Sequence, residues 1–181
     1  MAHTQERVRV WNSLFHQAWV EAGRLHELSS GASSSSSYFE PLGGRLSDEE
    51  QAVLTTLMLC TLAVEARSNH LIAELVEQGK LTEDEGRGAE RLPPREKWCL
   101  LPKLAGRRRR IDLSRQPHQA VAEICATRNA LVHVNFDRLK VPTSNKMLSL
   151  YSGFAKAMED MNVVMGRVRK ERKYVSRIST F

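Results

Sequence analysis

The sequence has few cysteines, few aromatic residues and no long apolar run. Its three cysteines, Cys60, Cys99 and Cys125, are far apart and form no Cys-x-x-Cys pair, which argues against a disulfide framework and a structural zinc site. Aromatic residues make up 6% of the chain, too few for a series of base-stacking platforms. No apolar run approaches the roughly 20 residues that span a bilayer, and the N-terminus lacks the apolar core of a secretory signal. These absences predict a cytoplasmic protein with reduced thiols and no membrane partner.

What the chain does have is enough apolar sequence for a core and an excess of positive charge. Apolar residues make up 41% of its 181 residues, as in globular domains, and the formal net charge is +6. The excess is concentrated in Arg107–Arg110 and in RVRKERKYVSR, residues 167 to 177. Basic clusters favour polyanionic partners, although a solvated loop and a solvated helix end are the more common explanation for such runs taken alone.

Apolar residues recur at three- and four-residue steps along most of the chain, which predicts helices throughout. No β-type alternation of useful length is present. The expected fold class is all-α, a bundle of about five helices in one compact domain. Residues 1–46 would form an N-terminal helix plus a Ser-rich loop, and residues 47–181 the main helical domain. The predicted helical stretches are 4–28, 48–79 after a capping box at Ser47, a short piece after Thr82, 95–106, 114 or 117 to 135, and 144–174.

The stretch ATRNALVHVNF, residues 126–136, places polar side chains in an apolar helix. On an ideal helix Arg128 falls inside the apolar arc, and His133 lies about 140° away with Asn129 beside it. A guanidinium keeps its charge, so an unpaired burial of Arg128 would cost several kcal/mol, on the order expected for a buried ion. Three arrangements satisfy this charge: a buried acid, a route to the surface, or a pocket or subunit interface that binds an anion. The obvious acid is Glu65, followed at i+4 by Asn69.

These residues resemble the HEPN superfamily, all-α domains found in many prokaryotic toxin and antiphage ribonucleases. The superfamily signature lies on a late helix and consists of an Arg, a polar residue directly after it, and a His separated from the Arg by four to six residues. Here these are Arg128, Asn129 and His133, with four residues between the Arg and the His. An upstream helix with a Glu and a polar residue four positions later matches Glu65 and Asn69, and PREKWCLLPKLAG is similar to a connector in some members. The resemblance covers roughly residues 48–165 and implies an HEPN-like helical bundle.

The resemblance implies RNA cleavage without a metal or other cofactor, through attack of the 2′-hydroxyl to give a 2′,3′-cyclic phosphate and a free 5′-hydroxyl. Histidine ordinarily titrates near neutrality and suits His133 to proton transfer, while Arg128 would bind the scissile phosphate. Asn129 would orient the imidazole or a phosphate oxygen, and Glu65, supported by Asn69, would hold Arg128. The offset of Arg128 from His133 is met in the family by a homodimer with a composite site. RNA would be guided by Arg107, Arg108, Arg109, Arg110, Arg167, Arg169 and Lys170.

The implied biological setting is toxin–antitoxin or antiviral defence, with an antitoxin or regulatory protein as a possible further partner. The alternative hypothesis is a non-catalytic HEPN-type module that binds nucleotide, RNA or a protein through the same cleft. In that case Arg128 with Glu65 would be a buried structural pair, and His133 a histidine at the edge of the core. A DNA-binding regulator is a weaker third hypothesis, because the sequence shows no helix-turn-helix with a basic recognition helix.

Overall fold

The computed structural model describes residues 2–31, 46–107, 111–133 and 141–165, and within them the chain forms α-helices and no strand. The all-α prediction is therefore confirmed, with six helices where about five were expected. None of the described helices is both long and apolar enough to cross a membrane. The helices are α1 (Ala2–Gly31), α2 (Asp48–Glu77), α3 (Glu83–Glu90), α4 (Pro94–Leu104), α5 (His118–Val132) and α6 (Ser144–Val164).

Two helices begin at capping boxes that the sequence predicted. The Ser47 hydroxyl accepts a hydrogen bond from the Glu50 backbone N–H, while the Glu50 carboxylate accepts one from the Ser47 backbone N–H. Thr82 and Glu85 make the same reciprocal pair at the start of α3. The hydrogen bonds satisfy N–H groups that the first helical turn leaves without partners.

The N-terminal helix shares the core with the rest of the described chain. Trp11, Phe15 and Leu25 of α1 are buried together with apolar residues of α2 and α6. The rings of Phe15 and Phe154 lie 5.5 Å apart, which joins α1 directly to α6. Because α1 buries its apolar stripe against α2, it is an integral layer of the bundle.

Two of the predicted helices are shorter in the structure than the sequence indicated. Helix α5 ends at Val132, with His133 as its C-cap, whereas the sequence predicted helix to residue 135. Helix α6 ends at Val164 with Met165 as C-cap, whereas helix was predicted to residue 174. Residues 32–45, Arg108, Arg109 and Arg110, residues 134–140, and the basic segment with Arg167, Arg169 and Lys170 lie outside the described residues.

A close approach between two helices sets the position of α5. A Cβ atom added at Gly153 of α6 would lie 2.6 Å from the Cβ of Ala120 in α5, and 3.1 Å from Oε1 of Gln116. The exposed Gln116 side chain can rotate away, but the Cβ of Ala120 is fixed to the α5 backbone and cannot. The absence of a side chain at residue 153 therefore lets α5 pack directly on α6.

We expect Gly153→Ala to destabilise the protein by about 1–3 kcal/mol, because α5 must move away from α6 to make room for the methyl group. Urea unfolding followed by circular dichroism measures this change in the free energy of unfolding. Gly88→Ala in α3 is the matched control, because a Cβ there meets nothing within 4 Å. The control should be neutral or slightly stabilising, by up to about 1 kcal/mol. Equal effects of the two substitutions would contradict the assigned role of Gly153.

Candidate functional site

Helix α5 carries Arg128, Asn129 and His133 on its last two turns. The Arg128 side chain is half-buried, and its Nη1 donates a hydrogen bond to Oδ1 of Asn129 at 3.2 Å. His133 is exposed at the C-cap, where its backbone N–H donates to the Asn129 carbonyl at 3.0 Å. Asn129 therefore contacts both other residues, one through its side chain and one through its backbone.

Arg128 lies closer to solvent than the helical projection predicted. The projection assigned it to an apolar arc along the whole helix, yet only the first part of that arc is fully buried. Val121, Ile124 and Cys125 are buried, whereas Arg128 and Leu131 on the same face are half-buried, with Leu131 packed against the core. The burial of this face therefore decreases toward the end of α5. The arginine needs no buried acid there, because water reaches it.

Glu65 and Asn69 come together in the structure, but their partner is Lys97 of α4. The Lys97 Nζ donates to Oε1 of Glu65 at 3.1 Å and to Oδ1 of Asn69 at 2.7 Å. Lys97 is only 1% exposed, so its charge is held inside the fold by these two acceptors. The expectation that Glu65 directly holds Arg128 is therefore replaced by a Glu65–Lys97 ion pair.

Lys97 was not among the predicted site residues, although the sequence of α4 indicates that it lies on an apolar face. Pro94 stands at the start of α4, where a proline fits the first turn. From this start, helical periodicity indicates which residues of α4 share a face. Leu101 follows Lys97 at i+4 on the same face, next to Trp98, and both apolar residues are fully buried. A buried lysine on an apolar face needs an acceptor, and Glu65, which the sequence suggested as the partner of Arg128, is the acid that accepts from it.

The environment of Cys125 shows that Glu65 and Arg128 share a neighbourhood across α2 and α5. Burial raises the pKa of the Cys125 thiol to about 11; the positive charge of Arg95 lowers it, the carboxylate of Glu65 raises it and Arg128 lowers it. Three charges from three helices therefore act on one thiol. The thiol therefore stays protonated at neutral pH, which is unfavourable for a nucleophile.

Four further histidines, on α1, α2 and α5, have packing or surface positions. Nδ1 of His118 accepts a hydrogen bond from Nε1 of Trp98 at 3.3 Å, and burial lowers the pKa of His118. His70 is buried in α2, with its Nε2 3.3 Å from Oε1 of Glu74. His16 and His26 are exposed on α1. None of the four lies on the last turns of α5.

A second buried cation, also missed from the sequence, joins α1, α2 and α6. Arg67 is 1% exposed, and its Nη2 donates a hydrogen bond to Oδ1 of Asn162. The guanidinium carbon lies 4.2 Å from the ring centroid of Trp11, a cation–π contact. Among the described residues the fully buried arginine is therefore Arg67, whereas the helical projection of the sequence favoured Arg128.

An open groove of about 490 Å³ lies between α1, α2 and the end of α3, and Glu65 and Asn69 are among the residues that line it. We call it the acidic groove, since Glu6, Glu65 and Glu90 all line it. Its apolar walls come from Val10, Leu14, Leu62 and Ala66. Arg7 pairs with Glu90 at its edge and donates to the Asn69 carbonyl at 3.3 Å.

Two further features bear on ligands. Among the described residues, no group of three or more His, Cys, Asp or Glu is placed to hold a metal ion. Of the basic residues expected to guide RNA, Arg107 is the one that the described chain includes, and it is exposed after the end of α4. The other predicted RNA-guiding residues lie outside the described part of the chain, so the basic surface stays a prediction.

The Lys97 arrangement predicts unequal effects of removing its two charged members. Glu65→Ala leaves a buried ammonium with Asn69 as its remaining acceptor, and we expect a loss of about 3 kcal/mol or more in the free energy of unfolding. Lys97→Met replaces the ammonium with an apolar side chain of similar length, while the Glu65 side chain, 44% exposed, can be solvated. We expect this loss to stay below about 1.5 kcal/mol.

The double variant Glu65→Ala with Lys97→Met completes the cycle and should recover most of the stability lost in Glu65→Ala alone. Urea unfolding of the four proteins under one buffer measures all the differences. Additive losses in the double variant would show that the ammonium of Lys97 does not depend on Glu65.

Comparison of the chain with protein-family models, with curated proteins and with solved structures gave no match in any of the three. The resemblance to the HEPN superfamily therefore depends on sequence features of α2, α4 and α5 alone. What remains is the chemistry that Arg128, Asn129 and His133 can perform at the end of α5.

Proposed function

We propose that the chain is a metal-independent endoribonuclease of the HEPN type, acting through Arg128, Asn129 and His133 at a composite site between two copies. The observation that carries the proposal is the end of α5, which presents an exposed imidazole and amide beside a half-buried guanidinium. A site for a polymer such as RNA must be open to solvent, and this one is. The biological setting, a toxin or antiphage effector, is part of the same proposal.

The proposed reaction assigns one role to each side chain. The 2′-hydroxyl oxygen attacks the neighbouring phosphorus, and His133 takes the hydroxyl proton. The bond from phosphorus to the 5′-oxygen breaks, and that oxygen receives a proton from the second imidazole of the site. Arg128 donates to the phosphate oxygens as negative charge grows on them, and Asn129 orients the guanidinium through their hydrogen bond.

A second copy supplies the second imidazole. Arg128 and His133 diverge by about 140° around an ideal helix, so one α5 does not readily direct both at a single phosphate. The last turn of α5 also leaves Val132 47% exposed, next to the exposed residues Ala130 and His133. Because an exposed valine beside the proposed site loses contact with water when another helix packs on it, we infer that a second α5 covers Val132.

Incubation of the protein with mixed-sequence RNA in EDTA tests the proposed cleavage. We expect products that end in a 2′,3′-cyclic phosphate, identified by mass spectrometry. Both Arg128→Ala and His133→Ala should cut at least about 100-fold more slowly, since general acid–base and phosphate contacts each contribute this much. His16→Ala, an exposed histidine on α1, is the matched control and should retain full activity.

Two results would redirect the assignment. Cleavage that survives in folded Arg128→Ala and His133→Ala proteins would remove both residues from the site. RNA binding without cleavage by the wild type, weakened in the same variants, would favour the non-catalytic module instead. Circular dichroism of each variant excludes unfolding as the cause, because all three substituted side chains lie at least partly in solvent.

The composite site makes a separate prediction about assembly. Val132→Arg places a charge on the exposed end of α5, so we expect it to convert a dimer to a monomer and to reduce cleavage with it. Val163→Arg is the control, because Val163 of α6 is equally exposed, at 45% compared with 47%. Sedimentation velocity measures the mass of both variants. A dimeric, active Val132→Arg protein would show that two α5 ends do not meet.

A further inference from the structure

The acidic groove has the opposite charge to the chain around it. The whole chain carries a net charge of +6, yet the groove is lined by three glutamates and one arginine. Arg7 pairs with Glu90 and the buried Lys97 pairs with Glu65, so these two cations balance two of the three carboxylates and the groove keeps a net negative charge. A polyanion such as RNA is therefore disfavoured in this groove, whereas a segment rich in lysine and arginine is favoured.

The walls of the same groove expose apolar side chains to solvent. Val10 of α1 is 53% exposed and Leu62 of α2 is 42% exposed, and the two line the groove from opposite sides. Leu14 follows Val10 at i+4, and Ala66 follows Leu62 at i+4, so each wall is a short apolar stripe. Grooves of this kind bind segments with apolar anchors at matching intervals.

The chain itself contains a segment with both properties. Residues 166–181 hold six lysines or arginines and one glutamate. Tyr174, Ile178 and Phe181 follow one another at i, i+4 and i+7, the spacing of apolar anchors. The segment thus combines positive charge with regularly spaced apolar residues, which complements the acidic groove in both respects.

The segment starts near enough to the groove to reach it. It follows Met165, three residues after Asn162, whose side chain bonds Arg67 of α2. Ala66, the residue before Arg67, already lines the groove. A helix is about 10–12 Å across, and the eight residues before Tyr174 span about 26 Å when extended, so the anchors can reach the groove past one helix.

We propose that residues 166–181 bind in the acidic groove of their own chain, with basic side chains on Glu6, Glu65 and Glu90 and apolar anchors between Val10 and Leu62. This assignment does not depend on RNA cleavage. It does give the basic segment a second anionic partner besides RNA, so groove binding and RNA guidance would compete for the same cations.

Zero-length crosslinking with a carbodiimide tests the proposal on the full chain, since it joins a lysine amine to a carboxylate in contact. Mass spectrometry should find Lys170 or Lys173 joined to Glu6 or Glu90. The ion pair of Lys146 with Glu123, at 2.7 Å, serves as the internal positive control. A mixture of ¹⁵N-labelled and unlabelled protein separates links within one chain from links between chains.

Leu62→Arg is the groove variant, and Val20→Arg, 49% exposed elsewhere on α1, is its control. We expect Leu62→Arg to reduce the groove crosslinks at least fivefold with the Lys146–Glu123 link unchanged, and Val20→Arg to leave both unchanged. The proposal is overturned if Lys170 and Lys173 link to the groove no more than to another exposed carboxylate such as Asp112. It is equally overturned if the groove links form only between chains, or if Leu62→Arg has no effect.

Discussion

The ammonium group of Lys97 lies buried between α2 and α4, and its two hydrogen bonds determine how the surrounding helices are arranged. Glu65 and Asn69 stand one helical turn apart on α2, so a single Nζ can reach both. Burying the charge without these acceptors would cost several kcal/mol, which ties the rotation of α4 to that of α2. Trp98 follows Lys97 directly and fills the core, where its indole N–H donates to His118 at the start of α5.

This arrangement gives the two faces of α2 different tasks. One face carries Arg67 into the core, where Trp11 and Asn162 hold its charge. The other carries Glu65 and Asn69, which accept from Lys97 and also border the acidic groove. A single helix therefore holds two buried cations and forms one wall of the groove. The proposed reaction and the proposed groove binding lie on separate helices, α5 and the α1–α2 pair, so each can be altered alone.

The position of α5 follows from packing more than from hydrogen bonds. Its start is held by the Trp98–His118 bond and by the close approach of Ala120 to Gly153. On its last turn Leu131 packs against the core, whereas Asn129, Ala130 and His133 face solvent. A packed helix with one open face can present side chains to a large ligand, because the scaffold fixes the site without enclosing it.

The sequence by itself determined the all-α class, the order of the helices and the capped starts of α2 and α3. These depend on local spacing, since an apolar stripe and a Ser or Thr with Glu three residues later act within one segment. It also identified Glu65, Asn69, Arg128, Asn129 and His133 as polar residues that need an explanation.

Only the tertiary structure decided which charges meet. Lys97 took the place that Arg128 was expected to fill beside Glu65, and Arg67 proved to be the buried arginine. Helical periodicity gives the direction of a side chain around its own axis, but it does not give the height at which a neighbouring helix ends. The partner of a charged side chain depends on that height, and therefore on how whole helices pack.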